Sequence, residues 1–88
     1  MYRVTWDRKV YRELGSIDQK IASAIVKKTE KYLALDPQKL GEPLVGKFRK
    51  YWKYRVGDYR VIYRIDTMSN CIIISKVRHR SSVYKKMR

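Results

Sequence analysis

Acidic side chains are scarce in this sequence: eight Asp and Glu stand against 22 Lys and Arg, leaving a net charge of +14 on 88 residues. Such a chain carries a strong positive field, and the first partner it implies is a polyanion. Cysteine is nearly absent. The one thiol, Cys71, excludes an internal disulfide, gives no sign of an oxidising compartment, and lies in an apolar run that reads as core. No apolar run approaches the roughly 20 residues of a membrane-spanning helix, and Met1 to Asp7 has no signal-like apolar stretch. The expectation is a soluble, cytoplasmic protein with no membrane partner. Four glycines and two prolines are too few for a flexible linker, and no repeat or low-complexity segment occurs. At 10.6 kDa, residues 1–88 are expected to form one small domain, without space for a second core or a large cofactor, and none is expected.

What is present argues for a packed fold. Apolar residues make up 44% of the chain, with eight Tyr and two Trp, too many large side chains for a disordered tail. The charge is also uneven. Residues 1–46 hold nine basic and six acidic side chains, whereas residues 47–88 hold thirteen and two, which assigns the contact with a polyanion to the C-terminal half.

Tyr2, Val4 and Trp6 alternate with Arg3 and Thr5, the period of a half-buried strand. Asp7 is placed to N-cap a short helix carrying Val10 and Leu14 on one face and ended by Gly15. Ser16-Ile-Asp-Gln19 has the form of a capping box, and Ile17, Ile21, Ile25, Tyr32 and Leu35 recur at helical spacing. Asp36-Pro37 stops that second helix, and Gly41, Pro43 and Gly46 mark a loop. From Lys50 the period becomes two. Tyr51 to Val56, Tyr59 to Asp66 and Cys71 to Arg78 read as strands joined by the short turns Gly57-Asp58 and Thr67 to Asn70, which force antiparallel hairpins. The predicted class is α+β, in the order β-α-α-β-β-β, with a small antiparallel sheet and two N-terminal helices packed on one face.

Strand alternation then sorts the cations. Trp52, Tyr54 and Val56 oppose Tyr51, Lys53 and Arg55; Tyr59, Val61, Tyr63 and Ile65 oppose Arg60, Ile62 and Arg64. In the last strand Cys71, Ile73, Ser75 and Val77 oppose Ile72, Ile74, Lys76 and Arg78. One face is apolar and faces the helices. The other collects Lys53, Arg55, Arg60, Arg64, Lys76 and Arg78, a basic floor with only Asp58 and Asp66 nearby as acids. Cations on the solvent side of a sheet are ordinary, but a single-sign face stores repulsion and suggests a polyanion as counterpart. Tyr51 and Tyr84, set among these cations, suit stacking on nucleic-acid bases. Trp6 and Trp52 fall on the core side.

The stretch Tyr51-Trp-Lys-Tyr-Arg-Val-Gly-Asp-Tyr-Arg-Val-Ile-Tyr-Arg64, with Val77-Arg-His-Arg-Ser-Ser-Val-Tyr84, closely resembles the RelE family of bacterial toxins, in the RelE/ParE toxin–antitoxin superfamily. The motif pair is K-x-R-x-G-x-Y-R-x-x-Y followed by H-R-x-x-V-Y, and the resemblance spans nearly the whole chain. It implies a ribosome-dependent endoribonuclease that cleaves mRNA, an mRNA interferase, kept inactive by a cognate antitoxin that would be acidic. The partners it implies are therefore mRNA, the ribosomal A site and that antitoxin. Matched by motif, the catalytic set is Lys53, Arg60, Arg80 and Tyr84, with Arg78 the alternative to Arg80 where the alignment slides. Tyr51, Arg55, Arg64, Lys76, Arg78 and His79 are the expected RNA contacts. Tyr51 departs from relatives that carry lysine there, which implies a lower local charge.

The chemistry suits those residue types. RNA supplies its own nucleophile, so the protein must take a proton from the 2′-OH, stabilise a pentacovalent phosphorane and protonate the 5′-oxygen. That scheme requires no metal, and no cluster of Asp, Glu and His with metal-ligand spacing surrounds Lys53, Arg60 or Tyr84. Arg60 is the phosphate clamp, because a planar guanidinium holds two oxygens at once. Lys53 does similar electrostatic work or acts as a base. His79 is the lone histidine; it reads as an acid–base group, an RNA contact or a surface residue, on the opposite face from the floor. Two other readings stand beside this one: a ParE-like gyrase inhibitor, since that branch shares the fold, and a nucleic-acid-binding module of weak catalysis.

Overall fold

The computed structural model describes residues 1–81. Its elements are β1 (Arg3–Trp6), α1 (Arg8–Gly15), α2 (Gln19–Lys31), a 3-10 turn (Leu33–Leu35), α3 (Pro37–Leu40), β2 (Glu42–Pro43), a second 3-10 turn (Gly46–Phe48), β3 (Trp52–Val56), β4 (Tyr59–Asp66) and β5 (Cys71–His79). The five strands lie in the order β1-β5-β4-β3-β2. The α+β class and the hairpins β3-β4 and β4-β5 are as the sequence predicts. The sheet differs in two features: β1 joins the edge of β5 in parallel, and β2 adds a short fifth strand beside β3; α3 is a third helix beyond the two expected.

Local chemistry sets the helix ends. The Asp7 carboxylate accepts from Lys9 N at 3.1 Å and starts α1. Ser16 does not start α2. Its hydroxyl donates to Glu13 O at 2.8 Å and closes α1, so Asp18 takes the cap two residues later, accepting from Lys20 N and Ile21 N. The α-helical hydrogen bonding of α2 ends at Lys31 rather than Leu35, and the chain tightens into the first 3-10 turn. The buried stripe runs through Ile25, Thr29 and Leu33, so Ile21, Tyr32 and Leu35, expected on the core face, lie at the surface. Asp36-Pro37 stops the helical line as expected, then opens α3, with the Asp36 carboxylate accepting from Lys39 N and proline at the first helical position.

The core joins Val10, Ile25 and Leu33 to Val56, Val61, Tyr63, Ile72, Ile74 and Val77 of the sheet. Trp6 and Trp52 pack against it, and Trp6 Nε1 donates to Glu30 Oε2 at 2.9 Å. Tyr63 is fully buried and donates its hydroxyl to Pro37 O at 2.6 Å. Burial first, then the neighbouring Tyr54, pushes that hydroxyl far above the ordinary tyrosine range. Gly41 makes room for it, since a Cβ there would sit 1.7 Å from the Tyr63 hydroxyl oxygen.

One irregularity decides which side chains face the helices. Ile62 pairs with Lys76, but Tyr63 pairs with Ile74, so Ser75 is an extra residue on β5. The expected alternation is correct after this bulge and inverted before it. Ile72 and Ile74, not Cys71 and Ile73, enter the core, while Val77 still does. Cys71 is buried on the opposite face, with its Sγ 3.1 Å from Thr5 Oγ1. Without the extra residue, Lys76 and Arg78 would follow Ile72 and Ile74 into the apolar layer.

Candidate active site

Register across β3, β4 and β5 assembles the basic floor in rows. Arg55, Arg60 and Arg78 are direct neighbours across the three strands, and Lys53, Ile62 and Lys76 form a second row. Arg64 lies opposite Ile73 on the same face. Like charges directly across a sheet repel, and the residues show how the cost is reduced. Arg55 Nε donates to Gly57 O at 3.3 Å and Arg60 Nη1 to Tyr59 O at 3.1 Å, so carbonyls at and beside the β3-β4 turn take up part of the guanidinium charge. Gly57 holds that turn with φ +58°, a left-handed conformation. Arg78 Nη1 instead reaches Glu13 Oε2 on α1, and Val77 O at 3.2 Å.

Lys53, Arg55 and Arg60 line one cavity of about 300 Å³ together with Leu40, Glu42 and Tyr54. Lys53 Nζ is 3.9 Å from Glu42 Oε2, across the β2-β3 pairing that sets these two residues opposite each other. Tyr54 packs against the core from the helix-facing side of β3, where burial, then Tyr32, raises its hydroxyl above the ordinary tyrosine value. A second hollow, about 180 Å³, contains Phe48, Tyr51, Ile62, Arg64 and Lys76. Tyr51 therefore meets the floor beside Arg64 and Lys76, and Ile62 is covered there.

The remaining predicted residues separate. Arg80 is exposed, with its N donating to Asp58 O at 2.8 Å and its Nε 4.0 Å from Asp58 Oδ1. His79 pairs with Tyr59 across the strands and meets its ring edge-on at 5.4 Å. Its Nδ1 lies 3.0 Å from Ser81 Oγ, on the face away from the floor. Tyr84 lies outside the described residues. Sequence reasoning missed two carboxylates. Glu42 stands in what reads as a loop, and Glu13 lies far from the strands in sequence; the only signal for Glu13 is an acid in the last turn of a helix, where the helix dipole disfavours it. Among the described residues, no group of three His, Cys, Asp or Glu is arranged to hold a metal ion, and no helix is long and apolar enough to cross a membrane.

Residues 4–84 match the family model described as the ParE toxin of the type II toxin–antitoxin system parDE. The chain is also 33% identical over 84 residues to toxin RelE of Mycobacterium tuberculosis, covering 96% of this chain and 87% of that one. The chain is a RelE-family toxin of the RelE/ParE superfamily. Toxin RelG of the same organism is 29% identical over 85 residues, covering 97% and 98% of the two chains. The toxin superposes with a TM-score of 0.86 on a chain of the M. tuberculosis toxin–antitoxin complex RelBE2, at 30% identity and covering 91% and 92%. The toxin thus belongs to a type II toxin–antitoxin system, and the basic floor on β3, β4 and β5 is the surface to explain.

Proposed function

We propose that the toxin is an mRNA interferase: an endoribonuclease that cuts mRNA in the ribosomal A site without a metal, in the cytoplasm, with residues 1–88 acting as one domain. The observation that carries this reading is the row Arg55, Arg60 and Arg78, flanked by Lys53, on one open face of a rigid sheet. A phosphate seated there meets guanidinium groups from three strands. Bidentate donors held in fixed positions stabilise the dianionic phosphorane more than the monoanionic diester, which is the differential binding that catalysis requires.

In the reaction, the 2′-oxygen loses its proton and bonds to phosphorus, the bond from phosphorus to the 5′-oxygen breaks, and that oxygen gains a proton. A 2′,3′-cyclic phosphate and a 5′-hydroxyl remain. Arg60 clamps the non-bridging oxygens; Lys53, on the wall of the same cavity, adds charge at the phosphate or accepts the proton. Arg78 serves as the second arginine, because it lies directly across from Arg60 whereas Arg80 is turned to Asp58 at the surface. Tyr84 stacks on a base or exchanges the proton. Tyr51, Arg55, Arg64 and Lys76 track the RNA, with base stacking from Tyr51. His79 and Arg80 touch RNA at the rim. The resemblance to a toxin solved with its antitoxin supports a cognate antitoxin here, acidic to match the floor.

Mapping new 5′ ends by primer extension on an mRNA in a bacterial translation extract tests this, with wild-type protein, Arg60→Ala and a lane without ribosomes. Discrete cuts that need ribosomes and vanish in Arg60→Ala are expected, with a rate loss of about 100-fold or more. Intact mRNA in every lane would refute the nuclease reading and direct the next assay to gyrase.

A further inference from the structure

The parallel strand β1 covers β5 only from Cys71 to Ile74, and Asp7 N closes that stretch by donating to Ile74 O at 2.9 Å. Beyond it, among the described residues, no strand lies along that edge of β5. Glu13, reaching from the last turn of α1, takes the place of one: its Oε1 accepts from Val77 N at 2.8 Å. Its Oε2 accepts from Arg78 Nη1. Both side chains are mostly buried, Arg78 at 22% and Glu13 at 17% exposure, so the pair is only weakly screened by water. An acid at a helix C-terminus is locally unfavourable, so this position is explained by its tertiary contacts rather than by α1 itself.

We propose that Glu13 is a positioning residue for the reaction, acting through Arg78; this rests on the mRNA-cleavage reading above. The backbone bond from Val77 fixes the carboxylate, and the carboxylate fixes the guanidinium. Nη1 is occupied by Glu13 and Val77 O, which leaves Nη2 and Nε, three N–H donors, for a phosphate beside Arg60. Glu13 also supplies one negative charge at the end of a row of three arginines, allowing them to stand in register before any RNA arrives. Preorganisation of this kind raises turnover rather than affinity. Removing the Glu13 charge therefore leaves a surface that binds RNA as well or better and cuts it more slowly.

The test is a double-mutant cycle of Glu13→Gln and Arg78→Ala, read in single-turnover cleavage and in RNA affinity at several salt concentrations, with a thermal melt of each variant. Glu13→Gln keeps one oxygen to accept from Val77 N and replaces the charged acceptor facing Arg78 with an NH2 group, removing both the charge and that hydrogen bond. The expected result is a turnover loss of about 10-fold to 100-fold with unchanged or tighter RNA binding, and less than about a twofold further loss in the Arg78→Ala background. A general folding defect would instead lower affinity and rate together. Equal losses in both backgrounds, a faster Glu13→Gln variant, or parallel falls in affinity and rate would overturn the proposal. If Glu13→Gln melts below the assay temperature, Glu13→Asp, with the same charge on a shorter stem, takes its place in the cycle. Absence of cleavage by the wild-type protein would refute the nuclease reading instead. The affinity arm then decides the coupling: a Glu13→Gln effect on Kd that persists when Arg78 is alanine would overturn it.

Discussion

Replacing Gly41 by alanine places a methyl group where the structure has none to spare. The added carbon would lie 1.7 Å from the Tyr63 hydroxyl oxygen, 2.8 Å from Tyr63 Cζ and 3.1 Å from Lys53 O. The hydroxyl must retreat by well over an ångström, and its 2.6 Å bond to Pro37 O cannot survive that movement. Stranding a buried donor and acceptor costs about 1–3 kcal/mol, and forcing a full ring aside in a packed core costs about 1–3 kcal/mol more. The sum, about 2–6 kcal/mol, is a large share of the stability of a small domain and corresponds to a fall in Tm of about 10 °C or more. Melts followed by circular dichroism measure it, paired with Tyr63→Phe and the double variant. Tyr63→Phe alone is expected to cost about 1–2 kcal/mol by leaving Pro37 O unpaired. In the double variant the oxygen nearest the new methyl is gone, so the two losses add to less than their sum by about 1 kcal/mol. A Gly41→Ala protein melting within about 2 °C of wild type, or strictly additive losses, would refute the steric account. Because Gly41 adjoins Glu42, the same variant is expected to disturb the pairing that sets Glu42 against Lys53.

Two further outcomes are expected. Tyr63 is held neutral in the fold well beyond the ordinary tyrosine value of 10.0, so its burial stabilises fully below that pH. Above it the unfolded chain ionises first and stability falls as pH rises, a slope that urea melts between pH 9 and about 11 should find reduced in Tyr63→Phe. Asp18→Ala, which removes the true cap of α2, is expected to cost about 1 kcal/mol, and Ser16→Ala to cost less; the reverse ranking in urea melts would restore the cap to Ser16.

The strands and the floor were legible because period-two alternation depends on one residue and its neighbours, and the cations lie on strands long enough to display it. Val61, Tyr63, Arg60 and Arg64 fall where the pattern puts them. Ser75 escaped because a bulge leaves no mark in composition: Ser75 is an ordinary strand residue, and only the partner strand reveals that one residue is extra. Ser16 misled because its hydroxyl had two helix ends within reach, and the end of α1 won it. Strand β2 is two residues long, below the length at which alternation exists. Glu13 and Glu42 gain their meaning from residues 65 and 11 positions away, Arg78 and Lys53, and nothing local encodes such a meeting.

The extra residue on β5 gives the strand two parts of opposite parity. Residues 71–74 are held between β1 and β4 and supply Ile72 and Ile74 to the interior, while Lys76 and Arg78, beyond the bulge, supply charge to the open face. Changes at Ile72 and Ile74 alter how firmly the molecule holds together, whereas changes at Lys76 and Arg78 alter the charge of the open face, with Val77 between them still anchored in the interior. Substitutions at positions 76 and 78 can therefore retune the open face while Ile72, Ile74 and Val77 keep the interior closed.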